Sequence, residues 1–474
     1  MRIFLIIFAL SFITNCAVNP VTGKQDFVII SENEEIAMGR EYNAQILQRN
    51  SIYQDQELQD YVQTIGESLA AKSHRPNLIY RFNILDSSDI NAFALPGGYI
   101  YINRGLMSYL SSEEELAAVL GHEIGHVTAR HSVKQYSQSQ LMSILSTAIE
   151  IRAGSTAGNI ANLASGAFLS GYGREMELEA DELGAQYIFE DGYSPQGMYK
   201  VLSVLKDQEV YSKEIAKQRG QEPSSYHGVF ASHPSNDKRL QEVINNVSIS
   251  NQKEKPMKKD TYLSKIDGMV FGDSEQSGIQ RGDEFYHGPL NFYISCPETW
   301  EIINTPNKLI FSSPYGQAIL QMTLEDLNFK ETPKDYLKRL VSNSFEEEEL
   351  KINGLNSYTA IIKRSGRLSR IAIIFKDDKV YRFIGSLEDK DSDINQYDSR
   401  FLRIINSFRM LTKEEQDLSK PLRLKTYIVK SGDTYQSLAK DSSININAED
   451  QLRLLNGDYP DKTLKIGRMI KIVE

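Results

Sequence analysis

The segment His122-Glu-Ile-Gly-His126 constrains the fold of this chain more than any other feature of its sequence. It lies downstream of Ser112, a residue type that often begins helices, and it continues an apolar stripe with helical spacing. Residues four apart share one helix face, so both imidazoles can reach a single metal ion. Glu123 lies about a quarter-turn away, where its carboxylate can approach the ion without replacing a ligand. The segment predicts a metal-binding helix; two core histidines on an amphipathic helix are the alternative.

Spacing alone does not identify the third protein ligand. A catalytic zinc ion needs three protein ligands and an open position for water. His131 is one candidate, but it would occupy the face opposite His122 if the helix continued. Ala129 and Ser132 stand where the extended metzincin motif has glycine and histidine. We therefore interpret His131 as a surface or core histidine.

A second acidic segment, Arg174-Glu-Met-Glu-Leu-Glu-Ala-Asp181, offers other candidates. Glu177 and Asp181 are four residues apart on a predicted helix, so one carboxylate can bind the metal while the other supports a ligand histidine. A solvated acidic helix face is the alternative interpretation. Periodicity also leaves three competitors in place: Glu175, Glu179 and Glu182.

Together the two segments resemble the HtpX- and BepA-type gluzincin peptidases, which are relatives of the CAAX prenyl proteases. In that family the first glutamate of E-x-x-x-D is the third zinc ligand, which falls here on Glu177, and Asp181 takes the supporting place. Asn91–Gly98 fits the family's edge strand, and Ser232-His233-Pro234 fits its later histidine segment. The resemblance covers about residues 17–250.

The resemblance implies a zinc-dependent endopeptidase that holds one Zn²⁺ per chain through the metal ligands His122, His126 and Glu177. Glu123 would take a proton from the zinc-activated water and return it to the leaving amine. Asp181 and His233 complete the expected catalytic set. His233 would either donate a hydrogen bond to the developing oxyanion or act as a fourth zinc ligand that closes the site.

The resemblance also implies how a substrate is held. An extended polypeptide is expected to pair with the strand at Ala92–Leu95, where backbone hydrogen bonds give affinity that tolerates many sequences. An ordinary buried strand is the alternative interpretation of this segment.

The N-terminal segment predicts export and anchoring. An apolar run at 3–12 is too short for an ordinary membrane-spanning helix, and Cys16 follows it. We interpret residues 1–15 as a signal peptide, and Ile13-Thr-Asn-Cys16 resembles a bacterial lipoprotein box, in which the new N-terminal cysteine is acylated. An ordinary cleaved signal or an uncleaved anchor is the alternative. Cys296 is the only other cysteine, so acylation of Cys16 would leave no intramolecular disulfide.

The chain is predicted to be multidomain. The first domain, at 16–250, is a mainly α-helical (α+β) zincin-type metallopeptidase domain. An α+β domain at 261–411 has an order of strands and helices that resembles PsbP-like domains. A small βααβ domain at 425–474 resembles LysM modules, which bind N-acetylglucosamine polymers, through Tyr427–Thr434 and Leu454–Gly457 among other positions.

Several local predictions follow from periodicity and turn residues. Ser31 and Glu34 form a capping box before a helix at 35–48. The run Glu346–Glu349 is interpreted as a solvated face. Asp377-Asp378 is predicted to form a hairpin turn. The segment 146–173, rich in small residues, is either mobile or a packed helix. Further helices are predicted at 58–69, from Ser112, at 174–190, after Pro195, near Asn236, at 333–343 and at 396–406, and strands at 80–84, 99–103, 290–294, 309–312, 318–323, 357–363, 370–376 and 379–386.

The net charge limits the kinds of partner that this chain is expected to bind. The net charge of −10 argues against nucleic acid as a partner, because phosphate binding needs a surplus of Lys and Arg on one face.

The expected function is quality control in the bacterial cell envelope, by cleavage of misfolded or stalled envelope proteins. The expected location is the periplasm, with a lipid anchor in the outer membrane. A peptidoglycan-docked lipoprotein that acts as a chaperone is the alternative, and a wall-processing hydrolase is a third possibility.

Overall fold

The structure is a computed structural model of the chain. It describes residues 16–140, 172–218, 258–328, 330–341, 343–364, 366–389 and 393–474. These residues form two compact units. Unit 1 contains the described residues up to Phe271 together with Leu422–Glu474, and unit 2 is Gly272–Pro421. This division differs from the predicted one, because the C-terminal segment shares a unit with the predicted peptidase domain.

Four of the sequence predictions fall wholly or mainly outside the described residues. They concern the signal peptide, the segment at 146–173, the helix near Asn236 and the residue His233.

Unit 1 opens with a mixture of helices and short strands. The elements up to the metal-binding helix are β1 (Cys16–Val18), β2 (Gln25–Phe27), α1 (Glu32–Arg49), α2 (Gln56–Ala70), β3 (Arg81–Leu85), β4 (Ala92–Leu95), β5 (Tyr99–Asn103), α3 (Arg104–Tyr109) and α4 (Glu113–Thr128). The predicted capping box is present: the Ser31 side chain accepts from the backbone N–H of Glu34, whose carboxylate accepts from the backbone N–H of Ser31. The predicted helix face of α2 is buried through Leu58, Val62 and Leu69.

Four further elements of unit 1 follow before unit 2 begins. They are α5 (Arg174–Glu190), α6 (Gln196–Gln218), α7 (Lys259–Lys265) and β6 (Val270–Phe271). In the order β3-β5-β4, strands β3 and β5 run parallel, whereas β4 pairs antiparallel with β5 and lies at the sheet edge. The turn between β4 and β5 needs a left-handed residue, which Gly97 supplies at φ +75°.

Unit 2 is built around an antiparallel sheet. Its elements are β7 (Ile279–Arg281), β8 (Glu284–His287), β9 (Phe292–Ser295), β10 (Glu301–Thr305), β11 (Lys308–Ser312), β12 (Ala318–Asp326), α8 (Pro333–Leu340), β13 (Ser344–Ile352), β14 (Leu355–Arg364), β15 (Arg367–Lys376), β16 (Lys379–Leu387), α9 (Asn395–Ser407) and α10 (Glu415–Leu418). Seven strands pair in the order β10-β11-β12-β16-β15-β14-β13. Every strand predicted here is present, and Asp377-Asp378 forms the predicted turn between β15 and β16.

The charge run in unit 2 is the point where the sequence prediction was incomplete. Glu346–Glu349 is exposed, as expected for a solvated segment, but it also forms part of β13. Strand β13 ends the seven-strand order. Consecutive carboxylates on an edge strand oppose pairing with another chain, so charge and strand structure are compatible here.

The C-terminal elements of unit 1 have the predicted βααβ order. They are β17 (Leu422–Ile428), α11 (Tyr435–Lys440), α12 (Ala448–Leu455) and β18 (Met469–Val473). β17 pairs antiparallel with β18 on one side and with β6 on the other. Tyr435, Leu452 and Leu455 belong to the same apolar cluster as Leu116 and Leu120 of α4. The C-terminal segment therefore contributes to the core that packs against α4.

Within the described parts of the chain, no helix is both long and apolar enough to cross a membrane.

Candidate metal centre

Helix α4 carries the first three candidate residues, as the sequence predicts. Its N-cap is Ser112, whose side chain accepts from the backbone N–H of Glu115. His122, Glu123 and His126 all lie in its last two turns and are buried.

Two glycines bring α5 unusually close to this helix. A Cβ placed on Gly125 would lie 2.8 Å from the carbonyl oxygen of Ala180, and one placed on Gly184 would lie 2.8 Å from the backbone nitrogen of His122. Neither contact can be relieved by moving a flexible side chain, because both partners are backbone atoms. Only glycine at these positions permits the close approach that brings Glu177 of α5 to the histidines of α4.

His122, His126 and Glu177 form a compact group of potential ligands. Their ligand atoms all lie within 4.8 Å of one another, and no other group of three such residues is found among the described parts of the chain. The two Nε2 atoms are 3.0 Å apart. The Glu177 carboxylate lies 3.6 Å from Nε2 of His122 and 3.5 Å from Nε2 of His126. One carboxylate and two imidazoles converging at this spacing can hold a metal ion.

The other acidic residues of α5 occupy different places. Asp181 Oδ1 lies 2.8 Å from Nδ1 of His122, so this carboxylate is on the far side of the ring from Nε2. Glu175 and Glu182 are exposed, whereas Glu177 is fully buried. Periodicity left several acidic residues of α5 open as the third ligand. Among them, Glu177 is the one that is buried within reach of both histidines.

The chain leaves α4 through a backbone turn that the sequence does not signal. The helix ends at Thr128, and Arg130 adopts a left-handed conformation at φ +56°. This conformation costs a non-glycine residue about 1–2 kcal/mol. Glu35 offsets it, because its buried carboxylate accepts from Nε of Arg130 at 2.8 Å and from Nη1 of Arg75 at 2.7 Å. Arg75 also donates to the carbonyl of Val127 and so caps the helix end.

This turn changes the position of His131. The expectation that His131 faces away from His122 assumed a continuing helix and is wrong, because α4 stops three residues earlier. His131 is fully buried, and its Nδ1 lies 2.8 Å from Nδ1 of His126. On its other side, Nε2 of His131 is bonded to Oε2 of Glu179 at 3.0 Å. Burial lowers the pKa of His131, and the hydrogen bond from His131 lowers the pKa of Glu179.

Tyr172 covers the same histidine from another direction. Its ring stacks on His126 with centroids 4.0 Å apart and an interplanar angle of 18°. Its hydroxyl is bonded to Oγ of Ser132 at 2.7 Å. Burial raises the pKa of Tyr172, so its hydroxyl stays protonated at neutral pH.

Comparisons with known proteins agree with this geometry. Residues 56–247 match the model of peptidase family M48. This part of the chain is an M48 peptidase domain. A beta-barrel assembly-enhancing protease of Yersinia pestis is 31% identical over 238 residues, which is 48% of this chain and 46% of that protein. The protein of that name from Escherichia coli is 28% identical over 258 residues, 52% of this chain and 50% of its own length.

The chain therefore spans about half the length of the curated relatives that it matches. The prediction of a metallopeptidase of this type is confirmed for the M48 domain. Among solved structures, cyanobacterial PsbP from Synechocystis is 12% identical, and the match covers 28% of this chain and 95% of PsbP at a TM-score of 0.23. The PsbP-like and LysM-like interpretations stay predictions.

A small apolar cavity adjoins the metal centre of the M48 domain. Its volume is about 30 Å³, and His122, Glu123 and Asp181 form its polar side. The rest of its wall is apolar and comes from β4, α3, α4 and α6, including Ala92, Val119, Met198, Leu202 and Leu205. The edge strand β4 thus contributes to a cavity beside Glu123, and this cavity is large enough for a small aliphatic group.

Sequence reasoning missed three residues of this centre. Glu179 was weighed only as an alternative ligand, and Tyr172 was not considered. His131 was rejected as a ligand because a continuing helix would place it on the face opposite His122, and because Ala129 and Ser132 stand where metzincins have glycine and histidine. Its five-residue spacing from His126 was the only available signal, and it is informative only once the end of α4 is known. His233 lies outside the described residues, so its predicted place near the metal stays a prediction.

Proposed function

We propose that the protein is a zinc-dependent endopeptidase of the bacterial cell envelope that cleaves misfolded or stalled envelope proteins. The observation that carries this proposal is the buried group of His122, His126 and Glu177, with Glu123 beside it in an M48 domain. Two imidazoles and one carboxylate are a ligand set that catalytic zinc sites use, and three protein ligands leave a position open. These residues therefore fit one Zn²⁺ per chain.

When bound, Zn²⁺ supplies Lewis-acid chemistry, lowering the pKa of water towards neutrality and polarising a carbonyl oxygen. Glu123 is the general base in this proposal. Its carboxylate takes a proton from the attacking water and then delivers it to the amine of the leaving peptide. Asp181 orients His122, because its carboxylate lies 2.8 Å from Nδ1 and so leaves Nε2 directed at the metal position.

Substrate binding is proposed for the edge of the β3-β5-β4 sheet. An extended chain added beside β4 would hydrogen-bond through its backbone, which suits a protease that accepts many unfolded sequences. The adjoining cavity would then receive one side chain near the bond that is cleaved. Its aliphatic wall and small volume favour a small apolar residue there.

The proposal keeps His233 in the catalytic set on the family resemblance alone. As an oxyanion donor, its loss would lower the rate about a hundredfold. As a fourth zinc ligand it would hold the enzyme closed, and its loss would raise activity. We favour the closed resting state. Peptidase activity of His233→Ala at matched zinc occupancy decides between the two roles, and an unchanged rate would assign His233 to neither.

The finer features of location belong to the same proposal. We propose the domains at 16–250, 261–411 and 425–474, with a signal peptide at 1–15 and acylation of Cys16 that anchors the protein to the outer membrane from the periplasm. The βααβ order of the last segment supports a LysM-like module in contact with peptidoglycan. Cys16→Ser should release the protein from membranes; unchanged fractionation would exclude a lipid anchor at this residue.

The central test is cleavage of an unfolded envelope protein by wild type and Glu123→Gln. The amide cannot accept a proton, so the rate should fall by about 10²–10⁴-fold while bound zinc stays the same. Glu182→Gln is the matched control, because it makes the same change at an exposed position on α5 and should cleave normally. Equal turnover by wild type and Glu123→Gln would remove Glu123 as the base.

A further inference from the structure

We propose that His131 and Glu179 are positioning residues for the metal centre: they fix the protonation pattern of His126 so that its Nε2 faces the metal. This inference rests on the proposed metal site and extends it beyond the three ligands. Neither residue belongs to the ligand group, and hydrogen-bond contacts link both of them to it through His126.

The contacts form an unbroken chain from the metal position towards the surface. Nε2 of His126 lies within the ligand group, and Nδ1 of the same ring is 2.8 Å from Nδ1 of His131. Nε2 of His131 is 3.0 Å from Oε2 of Glu179. The side chain of His131 has no exposed surface, whereas the Glu179 side chain is 31% exposed. The Glu179 carboxylate is therefore accessible to solvent, whereas the imidazole rings of His126 and His131 are not.

Hydrogen-bond chemistry determines which atom is the donor in each of these contacts. An ionised carboxylate can only accept, so the proton between Glu179 and His131 belongs to Nε2 of the histidine. A neutral imidazole carries one proton, so Nδ1 of His131 is then an acceptor. His126 must donate from its own Nδ1, which leaves the lone pair of its Nε2 for a metal ion. A ligand histidine supported in this way is more basic and keeps a fixed ring orientation.

The two ligand histidines are therefore supported differently. His122 meets a carboxylate directly, since Asp181 lies 2.8 Å from its Nδ1. His126 reaches its carboxylate only through a second imidazole. The left-handed turn at Arg130 is what makes the second arrangement possible, because it returns His131 to the metal side of α4. Tyr172, stacked on the ring of His126, restrains rotation of that ring further.

The test measures zinc affinity of the full-length protein by competition with a chelator, alongside the unfolding midpoint of the zinc-free protein. His131→Phe keeps a ring of similar shape but removes both hydrogen bonds. His131→Asn keeps an oxygen that can accept from Nδ1 of His126. Glu179→Gln removes only the charge at a partly exposed position. Glu182→Gln is the control, because it is exposed on the same helix.

We expect zinc affinity to fall about 10–100-fold in His131→Phe. Glu179→Gln should lose less zinc affinity than His131→Phe. His131→Asn should bind zinc more tightly than His131→Phe, and Glu182→Gln should have the zinc affinity of wild type. Wild-type affinity in both His131→Phe and Glu179→Gln would overturn the inference. So would equal losses in His131→Phe and His131→Asn that parallel a loss of zinc-free stability, because packing alone would explain them.

Cleavage is not needed for this comparison. If wild type binds zinc but cleaves no polypeptide, the proposed function fails while the affinities still decide the role of His131. If wild type binds no zinc, the metal centre and this inference are both wrong.

Discussion

Unit 1 buries charged side chains at its centre, whereas the core clusters of unit 2 are apolar. In unit 1 the buried charges include Glu35, Arg75, Arg130, Glu177 and Asp181. Among the described residues of unit 2, the buried charged side chains are those of Arg370 and Lys376. Arg370 is paired with Asp398, and Lys376 donates to the carbonyl of Leu290.

This difference between the two units reflects two ways in which a sequence can specify a structure. Apolar packing is non-directional, so the core of unit 2 depends on volume and shape. Buried ion pairs require partners at fixed distances and angles, and removing one partner leaves an uncompensated charge. The buried ion pairs of unit 1 therefore fix the orientation of side chains as well as the packing of the core. A site that positions three ligands requires such fixed orientations.

The largest effect is expected from removing a ligand of unit 1. Glu177→Gln should weaken zinc binding by more than about 100-fold, the upper end of what loss of an indirect support produces. For wild type, free zinc at a thousand times its Kd should stabilise unit 1 by about 4 kcal/mol. The unfolding of unit 2 should not respond, and Trp300 reports it separately because it is the only tryptophan in the sequence.

Zinc titration with two signals checks this contrast. Fluorescence of Trp300 follows unit 2, and far-ultraviolet circular dichroism adds the helices of unit 1. An equal zinc-dependent shift in both signals would show that the two units unfold together and would contradict the separation.

A second large effect in unit 1, this time on the stability of the zinc-free protein, is expected at Glu35. Glu35→Gln removes the charge that Arg75 and Arg130 share, and breaking a buried pair costs about 3–5 kcal/mol. Chemical denaturation of the zinc-free protein measures the loss. Glu41→Gln is the control on the same helix, since Glu41 is exposed. Equal midpoints for the two variants would mean that the buried pairs of unit 1 contribute little.

In unit 2 a loss of comparable size should come from an apolar deletion. Phe401 is fully buried on α9 and packs so closely on Gly385 that a Cβ there would lie 2.7 Å from its ring. Phe401→Ala should cost about 3–5 kcal/mol, detected as a lower midpoint of Trp300 fluorescence. Zinc affinity should not change. Phe345→Ala is the control because Phe345 is 53% exposed, and a similar loss there would contradict the assignment.

The smallest effect is expected from a charge pair of unit 2. Hydrogen bonds from Arg409 lower the pKa of Glu415 to about 2. A lowered folded-state pKa adds stability above the ordinary value of 4.5, and this stability is lost as pH falls towards 2. Because the pair is partly exposed, Glu415→Gln should cost less than about 1 kcal/mol at neutral pH.

Denaturation midpoints at neutral and acid pH check this sign. The difference between wild type and Glu415→Gln should disappear near pH 2. Glu414→Gln, a change at the exposed neighbouring residue, should match wild type at both pH values.

Most of the helices and strands were predictable because their signals are local. The capping box at Ser31, the periodic stripe of α2 and the turn at Asp377 each depend on a few neighbouring residues. The strand at Glu346–Glu349 was missed because its exposed position at the sheet edge allows it to be charged. The placing of the C-terminal segment in unit 1 was missed because contacts between residues far apart in sequence leave no local pattern.

The three residues that converge at the candidate site could be named from the sequence, whereas the residues that contact them from outside this group could not. His122 and His126 follow from spacing within one helix, and Glu177 followed from family resemblance. The roles of His131 and Glu179 depend on the end of α4, and that end depends on Glu35, far away in the sequence. A turn held by a distant ion pair cannot be inferred from the residues that form the turn.

The contact made by Lys471 has a consequence for the order in which the protein forms. Its buried Nζ donates to the carbonyl oxygen of Ser108 at 2.8 Å and also to that of Leu110, just before α4. Lys471 and Ser108 are 363 residues apart in sequence. During synthesis the residues of unit 2 emerge between them, so α4 gains this anchor only after unit 2 has left the ribosome. A nascent chain therefore carries the ligand histidines well before their helix is fully fixed.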